Sequence, residues 1–286
     1  MNSVVIGASG KIGKYFFSNK QKDLLLTYNK NKLKNGIKFD VLKDNIADLI
    51  KKKNISKVVI LSAYSDPDFC KKNKELSERL NVIKTKKLIS CLIKKKIYFI
   101  FFSTEFVFDG KIGKYNENHK PKPINLYGKQ KLEIEKYINK NTKNFCIFRI
   151  AKTYGDDLND NTLISDFINR SKKKNSKIFA ATDQKFSPLF SRDLVKITKL
   201  FLKKEIRGTF NVGGPKGYSR YNLYRKFNNL ISKNKRLNKI KIIKSKLNNF
   251  KFTDKRPKDV SFNIRKLKKN INFELTNIED MLVKKI

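Results

Sequence analysis

Val4-Val5-Ile6-Gly7-Ala8-Ser9-Gly10-Lys11-Ile12-Gly13 reads as a buried strand, a glycine turn and the opening of a helix. The spacing is G-x-x-G-x-x-G, set directly behind an apolar run. In an α/β chain this pattern suits a dinucleotide. Gly7 permits the tight turn, Gly10 lets backbone approach a pyrophosphate, and Gly13 lets the helix pack close to the strand. Ser9, Lys11 and Ile12 lie between the glycines and are expected to line the same ligand. A lone glycine triplet also marks ordinary turns, so the flanking pattern decides.

That pattern alternates strands with helices. Leu24 to Tyr28, Ile37 to Val41, Val58 to Leu61, Ile97 to Phe102 and Phe145 to Ile150 read as strands. Helical spacing covers about Lys11 to Lys20, Asn45 to Lys53, Leu76 to Lys95 and Leu126 to Lys140. The strands are continuous apolar runs, the mark of a parallel sheet covered on both faces. The expected fold is α/β: a doubly wound Rossmann-type parallel sheet with a smaller, mixed α/β C-terminal substrate domain. Helices at Leu163–Lys174, Asp193–Lys204 and Tyr221–Lys233 and a strand at Gly208–Val212 belong to the second half. The expected division is a dinucleotide-binding domain over residues 1–155 and a mainly substrate-binding domain over 156–286. A stretch of about 188–213 is expected to return to the first domain.

Charge invites a different reading. Lys+Arg 67 against Asp+Glu 25 gives +42 over 286 residues, the signature of a nucleic-acid binder. Yet only 10 of the 67 cations are Arg, the residue that reads bases and phosphates with a planar fork. The lysines spread over every helical segment, and no helix-turn-helix, zinc or RNA-binding pattern stands out. No specific nucleic-acid partner is therefore expected. Three cysteines without a C-x-x-C pair and a single histidine, His119, disfavour a disulfide framework and any metal site. The longest apolar run, Ile97 to Phe102, is far short of the ~20 residues that span a membrane. No signal-peptide core is visible, so a cytoplasmic protein without membrane insertion is expected.

The second strand leads into Thr27-Tyr28-Asn29-Lys30-Asn31-Lys32, where a ribose-binding carboxylate usually stands. Cations replace it. Asn29 and Lys30 therefore lean toward a 2′-phosphate and NADPH, with NADH as the alternative. Asp40 and Val41, ending the third strand, are placed to meet the adenine. Tyr127 and Lys131 form a Tyr-x-x-x-Lys pair on one helical face. An ammonium there is expected to lower the phenol's pKa and make Tyr127 a general acid. Ser103 and Thr104 end the strand before it, and the Thr104 hydroxyl can polarise a carbonyl that Tyr127 protonates.

These residues resemble the extended short-chain dehydrogenase/reductase family. Phe102-Ser103-Thr104-Glu105-Phe106-Val107-Phe108-Asp109-Gly110 is similar, more narrowly, to the Ser-Thr-Asp-Tyr-Val-Phe-Asp-Gly stretch of dTDP-4-dehydrorhamnose reductases. Ser62-Ala63-Tyr64, Asn81, Pro123 to Gly128, Arg149 to Gly155, Asp183-Gln184, Ser219-Arg220-Tyr221 and Arg256-Pro257 follow that family's blocks in order. The resemblance implies NADPH-dependent reduction of the C4 ketone of a nucleotide-linked deoxysugar, with dTDP-4-dehydro-L-rhamnose as the substrate, in cell-surface polysaccharide synthesis. Thr104, Tyr127 and Lys131 would be catalytic. Ser62, Ala63, Tyr64 and Ser103 would line the cofactor. Glu105, Phe106, Val107, Arg149, Tyr218, Arg220 and Arg256 would meet the nucleotide-diphosphate sugar, and a homodimer is allowed.

The chain departs from the family at Glu105, where an Asp is usual, and at Gln130, where a Ser precedes the lysine. A nucleotide-sugar dehydratase needs a second acid after the threonine, and Phe106 cannot take a proton. A 4-epimerase with retained NAD and a non-catalytic NADP-binding subunit remain as alternatives.

Overall fold

A computed structural model describes residues 2–17, 24–232 and 234–286. Seven parallel strands form the central sheet. From edge to edge they are Gly208–Val212, Phe145–Ile150, Tyr98–Thr104, Ile55–Ile60, Asn2–Ile6, Leu24–Tyr28 and Ile37–Lys38. The fold is therefore the expected doubly wound, Rossmann-like one. Chain order reverses between Asn2–Ile6 and Ile55–Ile60, so a crevice opens beyond their carboxyl ends, at Gly7 and Leu61.

Both faces are covered, which is why the strand sequences are apolar throughout. Val4, Ile6, Val58, Ile60, Phe99 and Phe101 pack on one side with Ile46, Leu88, Ile89, Leu92, Ile134 and Ile138 from the helices. Val5, Val59, Ile100, Phe102 and Phe148 face the other side, where Leu194, Ile197 and Phe201 of the helix Ser191–Lys204 cover them. The second half thus supplies both a sheet strand and a covering helix. Phe262, Ile264, Leu267 and Leu275 join the same cluster. A separate apolar cluster gathers Tyr154, Phe167, Phe186, Tyr224, Phe227 and Leu282 around the two-stranded sheet of Lys177–Ala181 and Lys241–Ser245.

Two helices differ from expectation. Over Lys11 to Lys20 the described part is a single 3-10 turn, Gly13–Phe16, and residues 18–20 lie outside the described residues. The long helix read over Leu76 to Lys95 runs as Lys74–Glu78, a π-helical stretch Arg79–Lys84, and Thr85–Lys94. The Thr85 hydroxyl donates to the Leu80 carbonyl at 2.8 Å, satisfying an acceptor that the wider turn frees. This turn lets Leu80 face the crevice while Asn81 is 1% exposed. Among the described residues no helix is long and apolar enough to cross a membrane.

Candidate active site

The crevice is a cleft of about 1050 Å³ that runs from the glycine turn to the end of the strand Tyr98–Thr104 and on to Arg220 and Arg256. Sheet pairing builds its first wall. The Thr27 hydroxyl accepts the Gly7 N–H at 3.0 Å, and the Thr27 carbonyl accepts the Ala8 N–H at 2.9 Å. Gly7 has φ +86°, and a Cβ there would stand 2.8 Å from the Ser62 nitrogen, so only glycine serves. The Ser62 hydroxyl beside it is buried and has no hydrogen-bond partner. A close-approach glycine turn and an orphaned hydroxyl fit a dinucleotide held at this wall. Backbone groups of the turn carry that fit, since the 3-10 turn is too short for a helix dipole to matter.

Gly10, Gly13, Ser9, Lys11, Ile12, Asn29, Lys30, Val41, Ala63 and Tyr64 also line the cleft. Asp40 lines it while one oxygen caps the Leu42 N–H at 2.9 Å.

Asn81 fixes the wall at Tyr64. Its Oδ1 accepts the Tyr64 N–H at 2.9 Å, and its Nδ2 donates to the Tyr64 carbonyl at 2.9 Å and to Gln130 Oε1 at 2.8 Å. Gln130 Nε2 donates in turn to the Ser77 hydroxyl at 2.9 Å. The serine-to-glutamine departure therefore ties the helix Leu126–Asn141 to the cofactor wall.

Thr104, Tyr127 and Lys131 meet in mid-cleft. The helix that carries the latter two starts at an Asn125 cap, whose Oδ1 accepts the Gly128 N–H at 2.8 Å. It packs so tightly on the turn after Thr104 that a Cβ on Gly128 would overlap the Phe106 carbonyl. The Thr104 hydroxyl faces the same part of the cleft as the Tyr127 phenol and acts on its pKa. Lys131 Nζ donates to the Phe102 carbonyl at 2.8 Å and lies 5.8 Å from the Tyr127 ring centroid.

Electrostatics correct one expectation. Burial, with help from Cys70 and Glu105, pushes the Tyr127 phenol above its ordinary value, although Thr104 pulls the other way. Lys131 does not lower it. Burial instead lowers the ammonium itself to about 7, while Cys70 and Glu135 oppose that shift. In a site this dry, desolvation outweighs the cation's pull.

Three expected substrate residues lie outside the cleft lining. Arg149 is 6% exposed and turns away from the cleft to Glu135, itself 2% exposed. Its Nη2 lies 2.7 Å from Oε2, and its Nε bonds both carboxylate oxygens. Ser103, which does line the cleft, donates to the same carboxylate. Val107 is fully buried in the core behind the Thr104 turn. The Tyr218 hydroxyl donates toward Asn277 and Glu279 on another face. Its neighbour Arg220 does line the cleft, held by Gln184 at 3.1 Å and stacked on Phe186. Arg256 lines it too and pairs with Asp68 at 3.1 Å. Phe106 and Glu105 complete this end.

The sequence reading missed Lys152, which projects into the cleft two residues beyond the strand Phe145–Ile150. It also missed a strap over the glycine turn. There Asp157 pairs with Lys14 at 2.9 Å and Asp160 receives the Tyr15 hydroxyl at 3.3 Å. The three acids within Asp156 to Asp160 were the available signal, in a chain so short of carboxylates.

Comparison with known proteins agrees with this fold. A hypothetical dTDP-4-dehydrorhamnose reductase from Sulfolobus tokodaii superposes with TM-score 0.82 at 24% identity, covering 98% of this chain and 99% of that one. The dTDP-4-dehydrorhamnose reductase of Bacillus anthracis in complex with NADP gives 0.83 at 22%, covering 99% and 98%. In sequence, the probable low-salt glycan biosynthesis reductase Agl14 of Haloferax volcanii is 27% identical over 172 residues, 59% of this chain and 57% of that protein. Methionine adenosyltransferase 2 subunit beta of Xenopus laevis is 32% identical over 99 residues, 35% of this chain and 30% of its own length. The matches thus span little more than half of the first relative and less than a third of the second. The profile of the RmlD substrate binding domain matches residues 1–286 from end to end, and the chain belongs to that family.

Proposed function

We propose that this chain reduces the C4 ketone of a nucleotide-linked deoxysugar with NADPH, and that dTDP-4-dehydro-L-rhamnose is the substrate to which its resemblance points. The convergence of Thr104, Tyr127 and Lys131 on one point of a cleft that also holds the glycine turn carries this reading. NADP in the Bacillus anthracis relative and the cations at Lys30 support the choice of cofactor.

The dinucleotide, when bound, supplies the hydride. The chain's own residues do the rest. Thr104 holds the ketone oxygen by its hydroxyl. Tyr127, kept protonated by its burial, gives its proton to that oxygen as negative charge grows on it, so the carbonyl becomes a secondary alcohol. Lys131, anchored on the Phe102 carbonyl, would bind the ribose next to the nicotinamide and so hold the dinucleotide against the ketone. Arg220 and Arg256 stand at the far end, where a diphosphate would be met by two guanidinium groups.

A second reading is a nucleotide-binding subunit without catalysis, since several curated relatives are named as a subunit of methionine adenosyltransferase. The assembled threonine, tyrosine and lysine favour the enzyme. The test is NADPH oxidation measured against a panel of nucleotide 4-ketosugars. Turnover that survives Tyr127→Phe undiminished refutes the tyrosine's role, and no turnover with any sugar favours the subunit.

A further inference from the structure

Lys131 carries its charge in surroundings that work against it. The side chain is 3% exposed, and its ammonium donates to the Phe102 carbonyl at 2.8 Å. The rings of Phe101 and Tyr127, with centroids 4.6 Å and 5.8 Å away, add cation–π attraction of modest size. Among the described residues no carboxylate forms an ion pair with it.

Three titratable groups bear on this ammonium from the elements packed around it. The helix Pro67–Lys72 presents Cys70, which burial raises to about 11 and so keeps a neutral thiol. The lysine's own helix presents Tyr127 one turn earlier, which burial also keeps protonated, and Glu135 one turn later. Glu105 bears on the phenol and not on the ammonium. The strand Tyr98–Thr104 brings the Phe102 carbonyl and the Ser103 hydroxyl, neither of which is charged. Glu135 is therefore the one anion acting on Lys131 at neutral pH among these groups. Its carboxylate is fixed from two further strands, by the Arg149 fork and by the Ser103 hydroxyl. Ser103 directly follows Phe102, so the same contact pins the stretch of strand that anchors the lysine.

We propose that Glu135 is a positioning residue that acts through Lys131: its carboxylate, one helical turn away and fixed by Arg149 and Ser103, holds the lysine as a charged donor anchored on the Phe102 carbonyl and directed at the dinucleotide. This rests on the reading that Lys131 meets the cofactor, and on no sugar. Burial alone brings the ammonium down to about 7 against the opposing pull of Cys70 and Glu135. A nearby opposite charge is worth on the order of one pKa unit, so without Glu135 the lysine should give up its proton near pH 6.

The experiment measures NADP⁺ affinity by calorimetry between pH 5 and pH 8. In the unaltered protein affinity should fall as pH rises through about 7, and Lys131→Met should lack that limb. The 2′-phosphate of NADP⁺ titrates alike in every variant. In Glu135→Gln the midpoint should move down by about one unit, leaving affinity about fivefold below the unaltered protein at pH 7 and nearly equal at pH 5. Glu135→Asp, which keeps the charge at a comparable loss of packing, should hold the midpoint. Glu135→Met with Arg149→Met lacks the carboxylate without stranding the guanidinium, so it should shift the midpoint the same way and covers a Glu135→Gln that fails to fold. A loss of equal size at every pH, one midpoint shared by all these proteins, or a limb that persists in Lys131→Met overturns the proposal. Turnover of ketosugars by the unaltered protein is a separate measurement, so failure of the reductase reading is distinguishable from failure of this one.

Discussion

Glu135→Gln tests whether Arg149 supports the site or touches substrate. The native pair is dry on both sides, with Arg149 6% and Glu135 2% exposed. Glutamine keeps the shape and one acceptor oxygen. It replaces the other oxygen with an NH₂ group that faces the guanidinium's own N–H donors. Breaking a buried ion pair by removing one partner costs about 3–5 kcal/mol, because a charge is left uncompensated. The retained oxygen places this variant near the lower end, at about 3 kcal/mol, and weakening of the Ser103 bond adds about 1. Urea unfolding of both proteins at pH 7 measures the difference, and thermal melting should show a drop on the order of 10 °C. Glu135→Met combined with Arg149→Met removes both charges and should cost less than Glu135→Gln alone. A single-variant loss under about 1 kcal/mol, or a double variant worse than the single, refutes the claim that the unpaired charge sets the cost.

Other outcomes follow from the same geometry. Tyr127→Phe should lower kcat by roughly 10²- to 10⁴-fold while NADP⁺ affinity, read by calorimetry, holds. Gln130→Met strips Asn81 and Ser77 of a partner, so it should cost about 1–3 kcal/mol and weaken NADP⁺ binding through the Tyr64 wall; unchanged affinity would separate the wall from the helix. Burial raises the Glu105 carboxyl from its ordinary pKa of 4.5 to about 8. Between those values the unfolded chain has lost a proton that the folded one keeps, so stability falls as pH rises from about 4.5 to about 8. Glu105→Gln should therefore gain in Tm over the native protein at pH 8 relative to pH 5, and parallel pH curves would count against the shift. The KM for NADPH should rise with salt if the +42 charge draws anions to the cleft; a salt-independent KM leaves the charge as composition alone.

The sheet was legible because buried parallel strands leave an unmistakable trace. Val4-Val5-Ile6, Val58-Val59-Ile60 and Tyr98 to Phe102 have no polar face to confuse the period. The glycine turn and the Tyr127/Lys131 pair were legible because their spacing is local. Arg149 was not, since a family-like block looks the same whether its arginine points into the cleft or behind it. The clue lay on the helix, where Glu135 shares the inward face of Tyr127, Lys131, Ile134 and Ile138 and so requires a buried cation. The phenol's pKa was misjudged for a related reason: sequence shows which charges are near in register, but not how much water is excluded around them. The π-helical turn at Asn81 escaped because its cause, the Leu80 carbonyl bonded to Thr85, is a tertiary choice between two helical repeats.

The outermost strand has a consequence for how the protein is made. Every residue of Phe145 to Ile150 except Phe145 pairs with Gly208–Val212, which comes far later in the chain. On a ribosome, the apolar ribbon Phe145-Cys146-Ile147-Phe148 must wait with one side unpaired until Val212 has emerged. An open, hydrophobic edge of that kind invites pairing between neighbouring nascent chains. A fragment ending near residue 155 should accordingly precipitate where one that runs past the strand Gly208–Val212 stays in solution, and translation through the intervening stretch is the interval in which a chaperone has most to protect.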